Sequence, residues 1–225
     1  MKGQAIGILG GMGPEASVYL YRLLIEKAIS DFGAKNNDDF PEIILHSIPV
    51  PDFISSDARK AEALQMLEER VRFLNNTNIS CLAIACNTAH LLLPQLKNVS
   101  TVPFISMIDE AISVVEKDGM QTVGILGTPS TIRSGLYQHA LIEKGIATVE
   151  PEEKMPPVLE RVIRNVIKGD ILRSDADALV TIANELKKKG AEGIILGCTE
   201  LPLVFPNKYS LPVYNSITIL ALAFS

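Results

Sequence analysis

The chain has 225 residues, 47% of them hydrophobic and 21% charged, which is enough apolar sequence for one large domain or two small ones. Its net charge of −5, with no basic cluster longer than Lys187-Lys188-Lys189, argues against a nucleic-acid surface, and no apolar run reaches the ~20 residues of a membrane span. Three cysteines, an odd number without zinc-like pair spacing, point to reduced thiols in the cytoplasm and to no metal site.

Strand and helix alternate along the chain. Residues 4–9 read as a buried strand rather than a secretion signal, because glycines interrupt the apolar run and a helix pattern follows. Pro14 and Glu15 suit the first turn of that helix, and Ala16, Leu20, Leu23, Leu24 and Ala28 give it an apolar face. A strand at 42–48, a helix at 58–75, a short strand at 80–85, a helix at 88–97 and a strand at 102–107 complete the first half. The second half is predicted as a helix at 108–117, a strand at 121–126, one helix over 130–144 and a strand at 146–149. Helices at 156–168 and 175–189, strands at 192–197 and 212–214 and a closing helix follow. Strands separated by helical stretches imply parallel βαβ units with helices on both faces of each sheet. The expected fold class is α/β in two pseudo-symmetric domains, residues 1–102 plus 209–225 and residues 103–208.

The halves repeat two signals in the same order. QAIGILGGMGPEAS (4–17) and QTVGILGTPSTIRSG (121–135) each run an apolar strand into a turn; CLAIACNTAH (81–90) and GIILGCTEL (193–201) each end an apolar strand near a cysteine. The first turn, with Gly10, Gly11 and Gly13, has neither Rossmann nor Walker spacing, so it suits a small carboxylate better than a nucleotide, or is a tight βα connection that needs its glycines for geometry alone. Cys86 and Cys198 fall at strand C-terminal ends, where open α/β sheets bind ligands. A following helix N-terminus is expected to lower their thiol pKa toward neutrality. Cys81, inside its strand, reads as a small core residue. Two equivalent thiols on opposite sides of one ligand meet the needs of proton removal and return with inversion. His46, His90 and His139 form no metal-binding pair; His90, four residues after Cys86, leaves open a Cys/His pairing. Thr128 and Thr131 either cap the next helix or hold a carboxylate or ammonium of the ligand. Glu200, two residues after Cys198, joins the candidate substrate-binding residues.

GILGGMGPEAS (7–17), ACNTAH (85–90), LGTPST (126–131) and LGCTEL (196–201) together resemble the cofactor-independent aspartate/glutamate racemase family, and the first loop looks most like that of aspartate racemases. The resemblance implies an active site in a cleft between the two domains, with Cys86 and Cys198 as the acid/base pair and no cofactor. It implies that Met12, Gly13, Ser47, Asn87, Thr88, Thr128 and Thr199 line a pocket for a small amino acid, aspartate or glutamate. Lys168 is similar to a lysine that contacts the substrate's side-chain carboxylate, and a homodimer is the expected assembly. The chain departs from the family pattern at Phe53, where an Arg would hold a distal carboxylate, at Ser106 in place of His, and at Asn215 in place of Asp. Two rivals share the motifs: a nucleophilic-cysteine isomerase like maleate isomerase or hydantoin racemase, and a small-ligand binding protein without turnover.

Overall fold

A computed structural model describes residues 5–52, 54, 56–152 and 154–224. The first half is built on β1 (Ala5–Gly10), α1 (Pro14–Phe32), β2 (Ile43–Ser47), α2 (Lys60–Leu74), β3 (Ile79–Ile84), α3 (Leu93–Val99) and β4 (Phe104–Ile105). The second half contains α4 (Met107–Lys117), β5 (Thr122–Gly127), α5 (Pro129–Arg133), α6 (Gln138–Glu143), β6 (Ala147–Val149), α7 (Pro156–Lys168), α8 (Arg173–Lys188), β7 (Gly193–Gly197) and β8 (Val213–Asn215). The last element is α9 (Ser216–Ala223). The strands form two four-stranded sheets, ordered β2-β1-β3-β4 and β6-β5-β7-β8, and every pairing is parallel. The same order twice makes the pseudo-symmetry of the sequence a property of the fold.

Strand alternation explains why the central strands are apolar throughout. Leu9, Leu82 and Ile84 face α2 and α3, whereas Ile6, Ile8 and Ala83 face α1 and α9. In the second sheet Leu126, Ile194 and Leu196 pack toward α7 and α8, and Val123, Ile125 and Ile195 toward α4 and α6. A parallel sheet covered on both faces has no solvent side on which to place polar residues. The register sets corresponding strand ends level: Leu9 lies beside Ile84, and Gly127 beside Gly197. The turns after β1, β3, β5 and β7 therefore emerge together.

Four sequence expectations are corrected. The helix expected over 130–144 is broken: α5 ends at Arg133, and Gly135, with φ of +66°, turns the chain before α6. The helix expected from 88 is a 3₁₀ turn, Thr88–Leu92, followed by α3, because Pro94 is accommodated only in the first turn of an α-helix. The strand expected over 102–107 shrinks to Phe104–Ile105, since Ser106 already caps α4 by accepting a hydrogen bond from Asp109 N at 3.2 Å. The C-terminal segment does not return to the first half from residue 209. Val213–Asn215 extends the second sheet, and only from Ser216 does α9 pack its Ile217, Leu220 and Ala221 against Leu20 and Leu24 of α1.

One glycine is fixed by close approach as well as by its backbone angle. Gly11 has φ of +90°, and a Cβ there would sit 2.4 Å from the backbone nitrogen of Ile48. Gly11→Ala is expected to lower the unfolding free energy by about 2 kcal/mol or more. Gly33→Ala, also at positive φ but with nothing within 4 Å, should cost about 1 kcal/mol. Urea denaturation of both variants checks the difference.

Candidate active site

A cleft of about 200 Å³ opens between the ends of the two sheets, below the ~300–1,000 Å³ of sites for drug-sized ligands and suited to a smaller molecule. Both cysteine turns reach it. Cys86 follows β3 and is half-buried; Cys198 follows β7 directly and is 4% exposed. Met12, Gly13, Asn87, Thr88, Thr128, Thr199 and Glu200 also line the cleft. Three expected lining residues do not. Ser47 is exposed at the end of β2, Lys168 is exposed at the end of α7, and Thr131 is fully buried behind Thr128. Phe53 lies outside the described residues.

Hydrogen bonds across the halves hold these turns. Thr88 Oγ1 contacts Thr128 Oγ1 at 3.0 Å and Thr131 Oγ1 at 3.1 Å, and Thr128 in turn donates to Thr131 at 2.9 Å. Thr128 also caps α5 by accepting from Thr131 N. On the opposite side, Gly13 N donates to Glu200 Oε1 at 3.0 Å, while Cys198 Sγ and Thr199 Oγ1 donate to Glu200 Oε2 at 3.0 and 3.1 Å. A Cβ on Gly13 would come within 3.1 Å of Glu200 Oε1, so glycine suits this approach. Three donors satisfy a carboxylate that is only 3% exposed. A third link was not legible in the sequence. Tyr137 donates to Asn87 Oδ1, Asn87 Nδ2 donates to Ser216 Oγ at 3.0 Å, and Ser216 donates to Leu196 O at 2.9 Å.

The electrostatics correct the expectation of acidic thiols. Burial, together with the charge of Glu200, pushes Cys86 up to about 12 and outweighs the backbone N–H groups of Ala89 and Thr88 directed at its sulfur. Cys198 is raised well above its ordinary value by burial and by Glu200, and the neighbouring Cys86 adds to the shift. The turns after both cysteines are short 3₁₀ segments, Thr88–Leu92 and Leu201–Leu203, not the α-helix N-termini anticipated. Two departures from the family pattern have local work: Ser106 caps α4, and Asn215 caps α9 by accepting from Thr218 N at 3.3 Å.

The Cys/His pairing is also corrected. Met107 N donates to His90 Nε2 at 3.1 Å, so the proton sits on Nδ1, which donates to Cys86 O at 2.8 Å. Both ring nitrogens are occupied by backbone, and His90 acts as a clamp between the Cys86 turn and α4. Burial lowers its pKa to about 4; nearby Asp109 opposes the shift and Lys97 adds to it. The unfolded chain therefore binds a proton between about pH 6.5 and 4 that the folded chain refuses. The stability from neutral His90 is present above pH 6.5 and is lost as pH falls through that window. Urea titrations at pH 6.5 and 4.5 should show about 2–3 kcal/mol of acid destabilisation in the wild type beyond that of His90→Gln.

Also lining the cleft are Pro51 and Asp52, which stand with Phe53 where relatives carry Pro-Asp-Arg, and residues without a motif: Val50 and Ile54 in the loop after β2, and Ile163, Arg164 and Ile167 on α7. On α7, Ile167 is an apolar residue left 41% exposed, a feature that only the structure shows. Among the described residues no His/Cys/Asp/Glu group has the arrangement of a metal site, and no helix is long and apolar enough to cross a membrane.

Comparison with known proteins agrees with this architecture. The broad-specificity amino-acid racemase RacX of Bacillus subtilis (strain 168) is 27% identical over 217 residues, spanning 96% of this chain and 94% of the relative. The structure of Picrophilus torridus aspartate racemase superposes with a TM-score of 0.82 at 30% identity, covering 98% of this chain and 92% of that one. An aspartate racemase homologue from Pyrococcus horikoshii OT3 gives a TM-score of 0.79 at 31% identity, covering 99% and 96%. The model of the Asp/Glu/hydantoin racemase family matches residues 9–223, which takes in both cysteine turns and every strand from the end of β1 onward. With its duplicated parallel sheets and a thiol from each half at one cleft, the chain belongs to the Asp/Glu/hydantoin racemase family.

Proposed function

We propose that the protein is a cofactor-independent amino-acid racemase in which Cys86 and Cys198 exchange a proton with opposite faces of the substrate α-carbon. The observation that carries the reading is the arrival of one thiol from each half at the same small cleft. One cysteine as thiolate removes the α-proton. The other, as thiol, donates its proton to the opposite face, so the C–H bond broken on one side is replaced on the other and the two sulfurs exchange states. The hydroxyl of Thr88 is the group offered to the α-carboxylate as charge builds on the α-carbon, since Thr128 already gives its proton to Thr131. Motif likeness and the P. torridus relative favour aspartate or glutamate as substrate; the residues around the side-chain compartment argue otherwise.

Glu200 gives the two thiols different surroundings. Its Oε2 accepts from Cys198, so a proton leaving this sulfur has a carboxylate to receive it, whereas the corresponding position after Cys86 holds the neutral Thr88. The raised thiols place the thiolate population on the alkaline side, and kcat/KM should climb by up to about tenfold per pH unit between pH 7 and 9. Cys86→Ser and Cys198→Ser should each reduce racemisation, followed by polarimetry, by at least about 10³-fold. Full activity in either single variant contradicts the two-thiol reading. Glu200→Gln keeps an acceptor for Gly13 N but removes the proton acceptor. It should lower kcat by about 10²-fold and alter the pH profile, where a merely structural role would leave the profile's shape unchanged.

A further inference from the structure

Opposite the cysteine turns, the cleft is built from the loop after β2 and from α7, and these two segments meet. Ile54 packs against the cluster that contains Ile163, and Asp52 Oδ2 accepts from Arg164 Nη1 at 2.8 Å. This wall presents Val50, Pro51, Ile54, Ile163 and Ile167 to the cleft. Among the described residues Arg164 is the one cation that lines it, and two acids already engage its guanidinium: Asp52, and Glu160, whose Oε1 accepts from Nε at 2.8 Å. The remaining charged lining groups, Asp52 and Glu200, are acidic. A substrate carrying a second carboxylate would enter an apolar compartment whose fixed charge is net negative. To reach Arg164 it would also have to displace a bridge that ties one half of the molecule to the other.

We infer that the side-chain compartment takes an amino acid with an uncharged, apolar side chain, and that the Asp52–Arg164 bridge excludes a distal carboxylate. The inference rests on the racemase reading for its chemistry and on the cleft wall for its selectivity. Burying an unpaired carboxylate against Val50, Ile54 and Ile167 is unfavourable, and like charge at Asp52 opposes it further. An aliphatic or thioether side chain meets the same wall with favourable contact. The bridge itself is solvated, with side chains 40% and 46% exposed, so its part is to neutralise Arg164 rather than to stabilise the fold.

The test is made on the wild-type full chain with L-leucine, L-methionine, L-aspartate and L-glutamate. Thermal stabilisation reports binding, and α-proton exchange in D₂O reports turnover. The expected result is stabilisation and exchange with leucine or methionine at a kcat/KM at least about tenfold above that for either acid. Preference for aspartate or glutamate overturns the inference while leaving the racemase reading in place. Binding of the apolar amino acids without exchange supports the inference and removes the racemase chemistry. If none of the four binds, both fall. Asp52→Asn, which releases Arg164 from one acid, and Ile167→Lys, which adds a cation, should each move the ratio of aspartate to leucine turnover upward by about tenfold. An unchanged ratio in both variants contradicts the assignment of this wall as the selective element.

Discussion

The structure depends on a crossed pair of hydrogen-bonded contacts that fasten each cysteine turn to the glycine turn, or its counterpart, in the opposite half. Two residues after Cys86, Thr88 reaches Thr128 and Thr131 in the turn after β5; two residues after Cys198, Glu200 reaches Gly13 in the turn after β1. These contacts share the pseudo-two-fold relation of the sheets, so the bonds that join the halves also aim the two sulfurs into one cleft. The Asn87–Tyr137–Ser216 chain adds a buried link between the Cys86 turn and β7. Because Thr88, Asn87 and Gly13 find partners in the other half, separating the halves would leave several donors and acceptors unpaired at once.

The same closeness sets the chemistry. Burial in the small cleft is the largest cause of the rise at both cysteines. Each negative charge in the cleft raises the next. Glu200 pushes up both thiols and Cys86 pushes up Cys198, which favours one thiolate facing one thiol over a pair of thiolates. In the proposed mechanism, this repulsion is what would supply one acid and one base. The symmetry is broken beside the sulfurs: a carboxylate follows one cysteine by two residues, a hydroxyl the other.

Much of the fold was legible because duplication and period carried it. The repeated glycine turns, the apolar strands and the two cysteines located both sheets and the cleft end of each. The remainder was set by contacts that no local pattern records. Gly135 breaks a helix so that Tyr137 can reach Asn87, a residue fifty positions away in sequence. Spacing alone suggested His90 as a partner for the Cys86 thiol, yet its two nitrogens face backbone groups. Helix-end reasoning predicted acidic thiols, and burial reversed the sign. On α7, Lys168 matched a motif but is exposed and not part of the cleft lining, while Arg164, one turn earlier and without a motif, contributes to it. Strand ends and repeats are properties of the chain; which face of a distant helix closes over them is a property of the assembled core.

The central claim is that two thiols act on opposite faces of one α-carbon. Its most direct measurement is the isotope content of both enantiomers at early times in D₂O, starting from a single L-amino acid that the enzyme turns over and separating the products on a chiral column. The account predicts that the D-enantiomer is deuterated at the α-carbon from the first turnovers, while the recovered L-enantiomer still carries its original proton. Deuterium appearing equally in both enantiomers would mean that a single base serves both faces, and would contradict the account.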